Sequence, residues 1–298
     1  MMIFNIIYER ISYKFVEIFV RHVKIPNKSF NWTIIPITKK KIKTKIYKDN
    51  SKTWQFALSY KWHDPAINNL EKIITGYLHG KENNYWIDCG ANLGLRSLAA
   101  LSMNIKTFMI EPNKETNKLN KERCEQNNFI DYEILPFGVS SIDGESKLFI
   151  DKSSYLSSLS ENQFDNENLE KTEIITLRKL DTLFSKEIEY EQIDAFIKID
   201  VEGHEKEVLV GAQNLIQKHE PTFLIEINEK GEHIKNIIDD MREKKYTVYQ
   251  TNTNNSNDFC LKHIPNNIEN YDFNSNDFLF VKDDNLINTL HKFTEPDV

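Results

Sequence analysis

The fold of this chain is decided by the stretch Tyr85-Trp86-Ile87-Asp88-Cys89-Gly90-Ala91-Asn92-Leu93-Gly94. An apolar run ends in an acid, enters a loop with two glycines, and continues at residues 95–101 into a segment that suits a helix. A second apolar run follows at 107–110 and also ends in an acid, Glu111. Glycines let the backbone approach a ligand, the helix start offers free N–H groups, and Glu111 can accept hydrogen bonds from a ribose diol. The unit is therefore typical of a nucleoside-cofactor site.

The spacing within the glycine loop favours S-adenosylmethionine over a dinucleotide. A dinucleotide fingerprint reads G-x-G-x-x-G, and Asn92 stands where its second glycine would be. Asp88 would also face the pyrophosphate of a dinucleotide, whereas the ammonium and sulfonium groups of S-adenosylmethionine suit a carboxylate. We therefore expect Asp88 and the backbone of Gly90, Asn92 and Gly94 to hold the methionine part of that cofactor, and Glu111 to hold its ribose. An ordinary strand–helix–strand unit with a glycine turn is the alternative.

The composition is that of a soluble globular protein with one sizeable core. The 298 residues are 40% hydrophobic and 28% charged, and their net charge of −7 argues against general nucleic-acid binding. The charge is unevenly distributed, since residues 1–52 carry twelve Lys or Arg against three Asp or Glu. This basic start predicts an anionic partner or a peripheral membrane contact near the N-terminus. A solvated lysine-rich surface is the alternative.

The cysteines and the N-terminal segment predict a cytoplasmic protein. Cys89, Cys124 and Cys260 are widely spaced and form no metal-type pair, as expected of reduced thiols. Apolar residues recur at helical spacing over 6–19, and charged residues interrupt this segment before it is long enough to span a membrane. A signal peptide is not expected, because its positively charged n-region before the apolar stretch and its small-residue cleavage site are missing. We expect an amphipathic helix that packs on a neighbour or lies on the inner face of the membrane.

Apolar runs and helical periods alternate along the rest of the chain. The expected strands are 85–89, 107–111, 132–136, 195–200, 222–227, 246–250 and 277–282. The expected helices are 66–79, 94–103, 113–127, 204–217 and 230–244. This rhythm predicts an α/β fold with a seven-stranded, mostly parallel sheet, helices on both faces and a reversed last strand. Residues 31–47 suit short edge strands, so we expect a small N-terminal α/β extension over 1–75 and a main domain over 76–298.

The segment 137–185 breaks this rhythm. Short strands at 147–150 and 174–177 flank a polar loop over 153–173. A polar loop of this length inside a compact domain is usually functional or disordered, and its Ser157-Ser158-Leu159 is a candidate lid. The turn Phe137-Gly138-Val139-Ser140 follows the third strand and is placed to cover the adenine of a bound cofactor, with Gly138 as the candidate contact.

These motifs, in this order, resemble the FkbM family of S-adenosylmethionine-dependent O-methyltransferases. The loop 87–94, the strand end Ile110-Glu111-Pro112-Asn113 and the serine patch 157–159 carry the resemblance. Its most specific part is Ile197-Lys198-Ile199-Asp200-Val201-Glu202-Gly203-His204-Glu205, followed by Leu224-Ile225-Glu226. Cys89 and His204 depart from the residues commonest in the family. The resemblance implies a Rossmann-like class I methyltransferase fold, a ribose site that includes Pro112 and Asn113, and a small-molecule or glycan acceptor methylated on a sugar hydroxyl.

Acids at the strand ends are the candidates for the chemistry. Ligands of open α/β sheets bind beyond the carboxyl ends of the strands. Methyl transfer to a hydroxyl depends on alignment of the reactants and on removal of the hydroxyl proton. We expect Asp200 to be the main acid on the acceptor side, with Glu226 beside it and His204 as a base that titrates near neutrality. A surface histidine at a helix start is the alternative for His204, and Glu202 would stabilise the same helix start.

Other assignments stay open at this point. Asp200 and Glu226, together with Asn228, would suit Mg²⁺ because all three offer oxygen ligands, as in catechol-type methyltransferases. We expect that the protein binds no metal ion, and a magnesium site formed by these three residues is the alternative. The other functions are a nicotinamide-dependent oxidoreductase, which Asn92 disfavours, and a catalytically inactive cofactor-binding module that docks through the basic N-terminal segment.

Overall fold

The computed structural model describes residues 28–34, 41–47, 65–151, 157–159, 169–190, 192–228, 231–252, 260–268, 271, 273 and 275–294. The expected N-terminal helix and most of the polar loop 153–173 lie outside these residues. The predicted membrane contact of the basic start therefore stays a prediction. No helix among the described residues has the length and apolar character needed to cross a membrane.

Strands and helices alternate over residues 84–135 and 194–252, as the sequence predicts, whereas strands follow one another over residues 138–178. In chain order the elements are β1 (Phe30–Ile34), β2 (Ile42–Ile46), α1 (Pro65–Leu78), β3 (Asn84–Cys89), α2 (Leu95–Ser102), β4 (Lys106–Ile110), α3 (Lys114–Gln126), β5 (Tyr132–Leu135), β6 (Gly138–Val139), β7 (Gly144–Asp151), β8 (Ser157–Ser158), β9 (Leu169–Arg178), α4 (Leu180–Leu183), α5 (Ser185–Tyr190), β10 (Asp194–Ile199), α6 (Glu205–Val210), α7 (Gln213–His219), β11 (Thr222–Glu226), α8 (Glu232–Glu243), β12 (Thr247–Asn252), β13 (Cys260–His263), β14 (Asp277–Val281) and α9 (Asp284–Leu290).

The main sheet has the strand order β13-β12-β14-β11-β10-β3-β4-β5. The five strands from β11 to β5 pair in parallel, while β14 is antiparallel to both of its neighbours. The α/β fold with a mostly parallel sheet and a reversed strand is confirmed, and all seven expected strands are present. Strand β13 adds an eighth, antiparallel to β12 at the edge of the sheet. The four residues of β13 include one buried side chain, Leu261, so the sequence has no apolar pattern that would predict this strand.

Helices cover both faces of this sheet, because its central strands are apolar on both sides. On β3, Tyr85, Ile87 and Cys89 pack with α6, α7 and α8 on one face. Trp86 faces the opposite side, where it packs with residues of α1 and α9. Burial on both faces is what a parallel sheet with crossover helices requires. The core therefore leaves the carboxyl ends of the strands as the edge where loops can build a site.

A second, four-stranded sheet has the order β6-β9-β7-β8. Strands β7 and β9 form a long antiparallel pair and contain the two short strands expected at 147–150 and 174–177. The serine patch forms β8, which pairs with β7. The hairpin of β1 and β2 is antiparallel, as expected for edge strands. Lys43 of β2 bonds through its backbone to the side chain of Asn127, just after α3.

One expected helix is divided in the structure, and the expected domain boundary falls inside another helix. The helix expected over 204–217 is divided into α6 and α7 at Gly211, where an added Cβ would lie 2.1 Å from the carbonyl oxygen of Ser140. This close approach of two backbones interrupts the helix, and the Gly211 carbonyl accepts a bond from the Asp181 N–H at 2.9 Å. The expected division of the chain near residue 75 falls inside α1 and stays a prediction.

Candidate cofactor-binding and active site

The glycine loop between β3 and α2 is held tightly against two neighbouring strands. The N–H groups of Gly90 and Ala91 both donate to the carbonyl of Ile110, at 3.0 and 3.1 Å. Gly90 has a φ of 78°, and a Cβ placed on it would lie 1.8 Å from the carbonyl oxygen of Asp200. Gly94, with a φ of 71°, precedes the first turn of α2. Glycine is therefore required at residue 90 by both conformation and space.

Glu111 lies at the carboxyl end of β4, where the sequence places it, and ties two segments together. Its carboxylate accepts hydrogen bonds from the N–H of Asn92 at 3.0 Å and from the N–H of Asn113 at 2.8 Å. The residue is buried. A carboxylate can accept about four hydrogen bonds, so a residue of this type can serve backbone donors and the hydroxyls of a ribose together. Glu111 thus links the glycine loop to the start of α3.

The first turn of α3 uses Asn113 as its N-cap. The Asn113 side-chain oxygen accepts from the N–H groups of Glu115 and Thr116, at 3.0 and 3.2 Å. Such caps typically stabilise a helix by about 1 kcal/mol. The ribose contact expected of Asn113 and of the preceding Pro112 stays a proposal, and the side chain of Asn113 is engaged by the cap.

Two buried polar residues of α3 support the glycine loop and were not predicted. Asn120 donates to the carbonyl of Asn92 at 2.6 Å, and Arg123 donates to the carbonyl of Leu93 at 2.9 Å. Arg123 also donates to the Asn120 side-chain oxygen at 3.1 Å and to the Thr44 hydroxyl of β2 at 3.2 Å. In the sequence, these two polar residues are three positions apart and therefore lie on one face of the helix. This spacing could have indicated a buried polar contact, but it is equally typical of a face exposed to solvent.

Asp88 lies beneath the glycine loop. It is 1% exposed, and it accepts a hydrogen bond from the Ser97 hydroxyl of α2 at 2.6 Å. Burial raises the pKa of Asp88, while the Lys198 ammonium and the Ser97 hydroxyl oppose that shift. Asp88 is the cross-strand partner of Lys198 in the pairing of β3 with β10. Its partners in this structure are thus protein groups, and its contact with a cofactor amine stays a proposal.

Lys198 is the residue of the site that sequence reasoning passed over. Its side chain is 8% exposed, and its Nζ lies 2.6 Å from the Asp200 carboxylate. Burial by itself would lower the pKa of Lys198, but the carboxylates of Asp200, Asp88 and Glu226 raise it above its ordinary value. Lys198 is therefore charged across the physiological range. The sequence does place this lysine inside an apolar strand of the main sheet. A lysine seldom occupies such a position without a charged partner, so its location could have indicated a buried ion pair.

The strand-end acids around Lys198 influence one another. Asp200, followed by burial and Asp277, raises the pKa of Glu226 to about 8. Burial and the Asp200 charge raise the pKa of Glu202 to about 6, although Lys198 opposes this shift. Asp277 is paired with Glu226 in the register of β14 and β11. The structure thus brings together Asp200 and Glu226, as predicted, and adds Glu202 and Asp277 to them.

His204 precedes α6 and lies between two polar partners. Its Nε2 is 2.9 Å from the Ser140 hydroxyl, and its Nδ1 is 3.6 Å from the Glu207 carboxylate. Burial lowers the pKa of His204, and the Glu207 carboxylate opposes that shift. A neutral imidazole can accept a proton, as a general base must. The next residue, Glu205, is fully buried and holds the N–H of Gly203 at 2.8 Å, so it shapes the loop that carries His204.

The serine patch and Gly138 have structural partners here. The Ser158 hydroxyl donates to the backbone carbonyl of Glu202 at 3.0 Å, which places the patch against the loop after β10. Gly138 lies in β6, where an added Cβ would lie 2.8 Å from side-chain carbons of both Ile175 and Leu177. Its small size is explained by this packing, and the adenine contact expected of Gly138 stays a proposal.

Two of the three ligands considered for Mg²⁺, Asn228 and Asp200, already have protein partners. Asn228 donates to Glu202 at 3.2 Å, and its oxygen accepts from the Asn276 side chain at 2.9 Å. The Lys198 ammonium lies at the Asp200 carboxylate. Within the described part of the chain, no group of three or more His, Cys, Asp and Glu residues could hold a metal ion. The donor set of Asp200, Glu226 and Asn228 therefore does not fit a divalent cation.

Replacing Glu226 by glutamine is expected to stabilise the protein above pH 7 and to leave its stability near pH 5 almost unchanged. With a pKa of about 8, the folded chain keeps the Glu226 proton at pH values where the unfolded chain has released it. The free energy of unfolding therefore falls as the pH rises from about 4.5 to about 8, by up to about 1.4 kcal/mol per pH unit. Glutamine stays neutral and removes this loss.

Urea denaturation of both proteins at about pH 5 and about pH 8.5 measures the effect, and the other raised carboxyls cancel in the difference. The exposed Glu189 of α5 offers a matched control, because Glu189→Gln removes the same charge far from the strand ends. If Glu226→Gln changed the free energy of unfolding equally at both pH values, this result would contradict the raised pKa of Glu226.

Comparison with solved structures gives a set of distant similarities. The chain is similar to a methyltransferase FkbM from Methylobacillus flagellatus KT, with 17% identity, a TM-score of 0.43, and coverage of 73% of this chain and 55% of that one. It is also similar to a putative methyltransferase from Streptococcus mutans in complex with SAH, with 12% identity, a TM-score of 0.39, and coverage of 72% and 95%. An rRNA methylase from Streptococcus thermophilus shows 10% identity, a TM-score of 0.39, and coverage of 72% and 93%. The chain thus spans about half the length of the first of these structures.

Comparison at the level of sequence families is more specific. No curated protein matches the chain. Residues 88–248 match the family described as Methyltransferase FkbM domain. The matched segment begins at Asp88 and includes the glycine loop, Glu111, Lys198, Asp200 and the other strand-end acids up to Glu226. Because this match extends over more than half of the chain, the protein belongs to the methyltransferase FkbM domain family.

Proposed function

We propose that this protein is an S-adenosylmethionine-dependent O-methyltransferase that acts on a hydroxyl, as in a sugar of a glycan, a glycolipid or a secondary metabolite. The observation that carries the proposal is the position of the buried Glu111 carboxylate, bonded to both the glycine loop and the start of α3. Membership of the FkbM family supports the reaction class.

The residues present fit the proposed cofactor in shape and in charge. Gly90 lets the glycine loop approach the backbone of Asp200 closely, so this loop and the end of β10 lie side by side. Glu111 offers acceptor positions for a ribose diol. The acids Asp88, Asp200 and Glu226 lie around Lys198 at this edge of the sheet. A cofactor with an ammonium and a sulfonium gains Coulomb energy at such an edge.

The acceptor hydroxyl must be aligned and deprotonated by residues of the chain. When bound, S-adenosylmethionine supplies a methyl group that an oxygen can attack in line with the departing sulfur. His204 can take up the hydroxyl proton, since burial lowers its pKa and keeps the imidazole neutral near pH 7. Asp200, held by Lys198, can accept a hydrogen bond from the same hydroxyl or a neighbouring one. Glu226, protonated below about pH 8, can donate one.

The nicotinamide alternative is less compatible with the loop geometry. Asn92 has a φ of 45° and donates its N–H to Glu111 at 3.0 Å. The backbone group at the position of the second fingerprint glycine is therefore engaged rather than available for a pyrophosphate.

Calorimetric titration with S-adenosylhomocysteine, with NADH as the matched control, tests the cofactor. We expect a Kd of about micromolar order for the first ligand and no heat beyond dilution for the second. Binding of NADH alone, or of neither ligand, would overturn the proposal. Transfer of labelled methyl groups from S-adenosylmethionine to sugar-rich acceptors, in a linkage that survives mild alkali, would identify an ether and thus a methylated hydroxyl.

A further inference from the structure

One cation lies among the strand-end acids of the main sheet. The Lys198 side chain is buried, and its Nζ lies 2.6 Å from the Asp200 carboxylate. The register of β3 and β10 sets Asp88 beside it, and β11 contributes the charge of Glu226. Glu71 of α1 lies near this group as well, but its ion pair is with Arg96, at 3.1 Å. Lys198 is thus the ammonium that the carboxyl groups of three neighbouring strands share.

This ammonium is bonded to Asp200, one of the three residues considered as ligands of a divalent cation. Hard divalent cations take six or more oxygen ligands in proteins, and they favour carboxylates that carry full charge. At this edge the Asp200 carboxylate is bonded to Lys198, and the Asn228 oxygen accepts from Asn276. A metal ion would also lie within a few ångströms of a buried positive charge that cannot move to solvent without breaking its ion pair.

We propose that Lys198 is the built-in cation of this site and takes the place of the divalent metal used by metal-dependent O-methyltransferases. It positions Asp200 at the end of β10 and neutralises the acids on either side, so the site needs no metal ion. The meaning of this inference for catalysis rests on the proposed function. The preference of the site for the Lys198 ammonium over a metal ion is independent of that function. It can be measured without an acceptor and without an activity assay.

Binding of Mn²⁺ alone to the EDTA-treated and desalted protein tests the proposal, with the free ion followed by electron paramagnetic resonance. We expect no saturable binding below millimolar Mn²⁺ for the wild-type chain. In Lys198→Ala the acids lose their cation, and we expect one Mn²⁺ per chain with a Kd at least about tenfold lower than any wild-type value. A further Asp200→Asn change in that variant should abolish this binding.

Two controls separate the removal of this particular cation from a general change of charge. Lys218→Ala removes an equal charge from an exposed position on α7 and should leave Mn²⁺ binding as in the wild type. Lys198→Arg keeps a cation at the site and should not bind Mn²⁺ either. If Lys198→Ala does not fold, as judged by circular dichroism, Lys198→Gln replaces it, and the wild-type measurement decides the question independently.

The proposal is overturned if the wild-type chain binds one Mn²⁺ and Asp200→Asn removes that binding. It is equally overturned if folded Lys198→Ala binds Mn²⁺ no more tightly than the wild type. Titration of the same samples with S-adenosylhomocysteine separates the two hypotheses. A wild-type chain that binds both Mn²⁺ and S-adenosylhomocysteine contradicts the role of Lys198 alone, whereas a chain that binds neither contradicts the proposed function alone.

Discussion

Replacing Gly90 by alanine is expected to lower the free energy of unfolding by at least about 3 kcal/mol and to abolish binding of S-adenosylhomocysteine. An ideal Cβ at this residue would lie 1.8 Å from the carbonyl oxygen and 2.9 Å from the carbonyl carbon of Asp200. Both are backbone atoms at the end of a central strand, so they cannot rotate away as a flexible side chain would. The φ of 78° adds strain for any residue with a side chain.

The relief of this clash has a direct consequence for the site. Either the glycine loop or the Asp200 backbone must move by more than an ångström, and each of them carries part of the candidate cofactor site. Loss of stability and loss of binding should therefore appear together. Urea denaturation and calorimetric titration of the same preparation measure the two effects.

Gly76→Ala is the matched control for this substitution. Gly76 is exposed within α1, and an added Cβ there would meet nothing within 4 Å. Alanine should stabilise this helix by about 0.5–1 kcal/mol and leave ligand binding unchanged. A Gly90→Ala protein as stable as the Gly76→Ala protein would show that the loop does not approach β10 as closely as described.

Replacing Glu111 by glutamine is expected to raise the Kd for S-adenosylhomocysteine by about 100-fold or more, because charge-assisted hydrogen bonds contribute about 1.5–3 kcal/mol each. The carboxylate accepts from the N–H groups of Asn92 and Asn113. Glutamine has one acceptor oxygen, and its NH₂ group would face a backbone donor at the other position. The link between the glycine loop and α3 is thereby broken, and the ribose loses a charged acceptor.

The control for this change is Glu133→Gln. Glu133 is exposed on the neighbouring strand β5, so the substitution removes the same charge without touching the loop. Calorimetric titration of both variants at one pH measures the effect. A Glu111→Gln protein that is folded and binds within about twofold of the wild type would refute the ribose assignment.

Much of the architecture follows from short-range patterns in the chain. Central strands such as β3 and β11 could be predicted because each is an apolar run long enough to cross a sheet that is buried on both faces. Gly90 and Glu111 could be singled out for a similar reason, since a glycine after one strand and an acid after the next have few other uses. Gly211 shows the limit of this reasoning, because the approach of Ser140 that divides α6 from α7 comes from a distant part of the chain.

The candidate site shows the same division between local pattern and tertiary contact. Asp200 and Glu226 are identifiable as strand-end acids, but their shared dependence on Lys198 is not, since a buried lysine can be interpreted only with its partners in view. The sequence indicates that Asp88 binds a ligand, whereas in the structure Asp88 accepts a hydrogen bond from Ser97 and lies beside Lys198 on the neighbouring strand. Support of the glycine loop by Asn120 and Arg123 is likewise visible only in three dimensions.

Local patterns in the chain are enough to predict the α/β class, the main strands, the glycine loop and the acids that follow the strands. These features depend on the periodicity of apolar residues and on the conformational freedom of glycine, both of which act over a few neighbouring residues. Which charges compensate one another, and which backbone segments meet, is established by the folded arrangement of the chain. Electrostatic energies and steric contacts depend on distance in space, and the pairing of β3 with β10 brings together Asp88 and Lys198, which lie far apart along the chain.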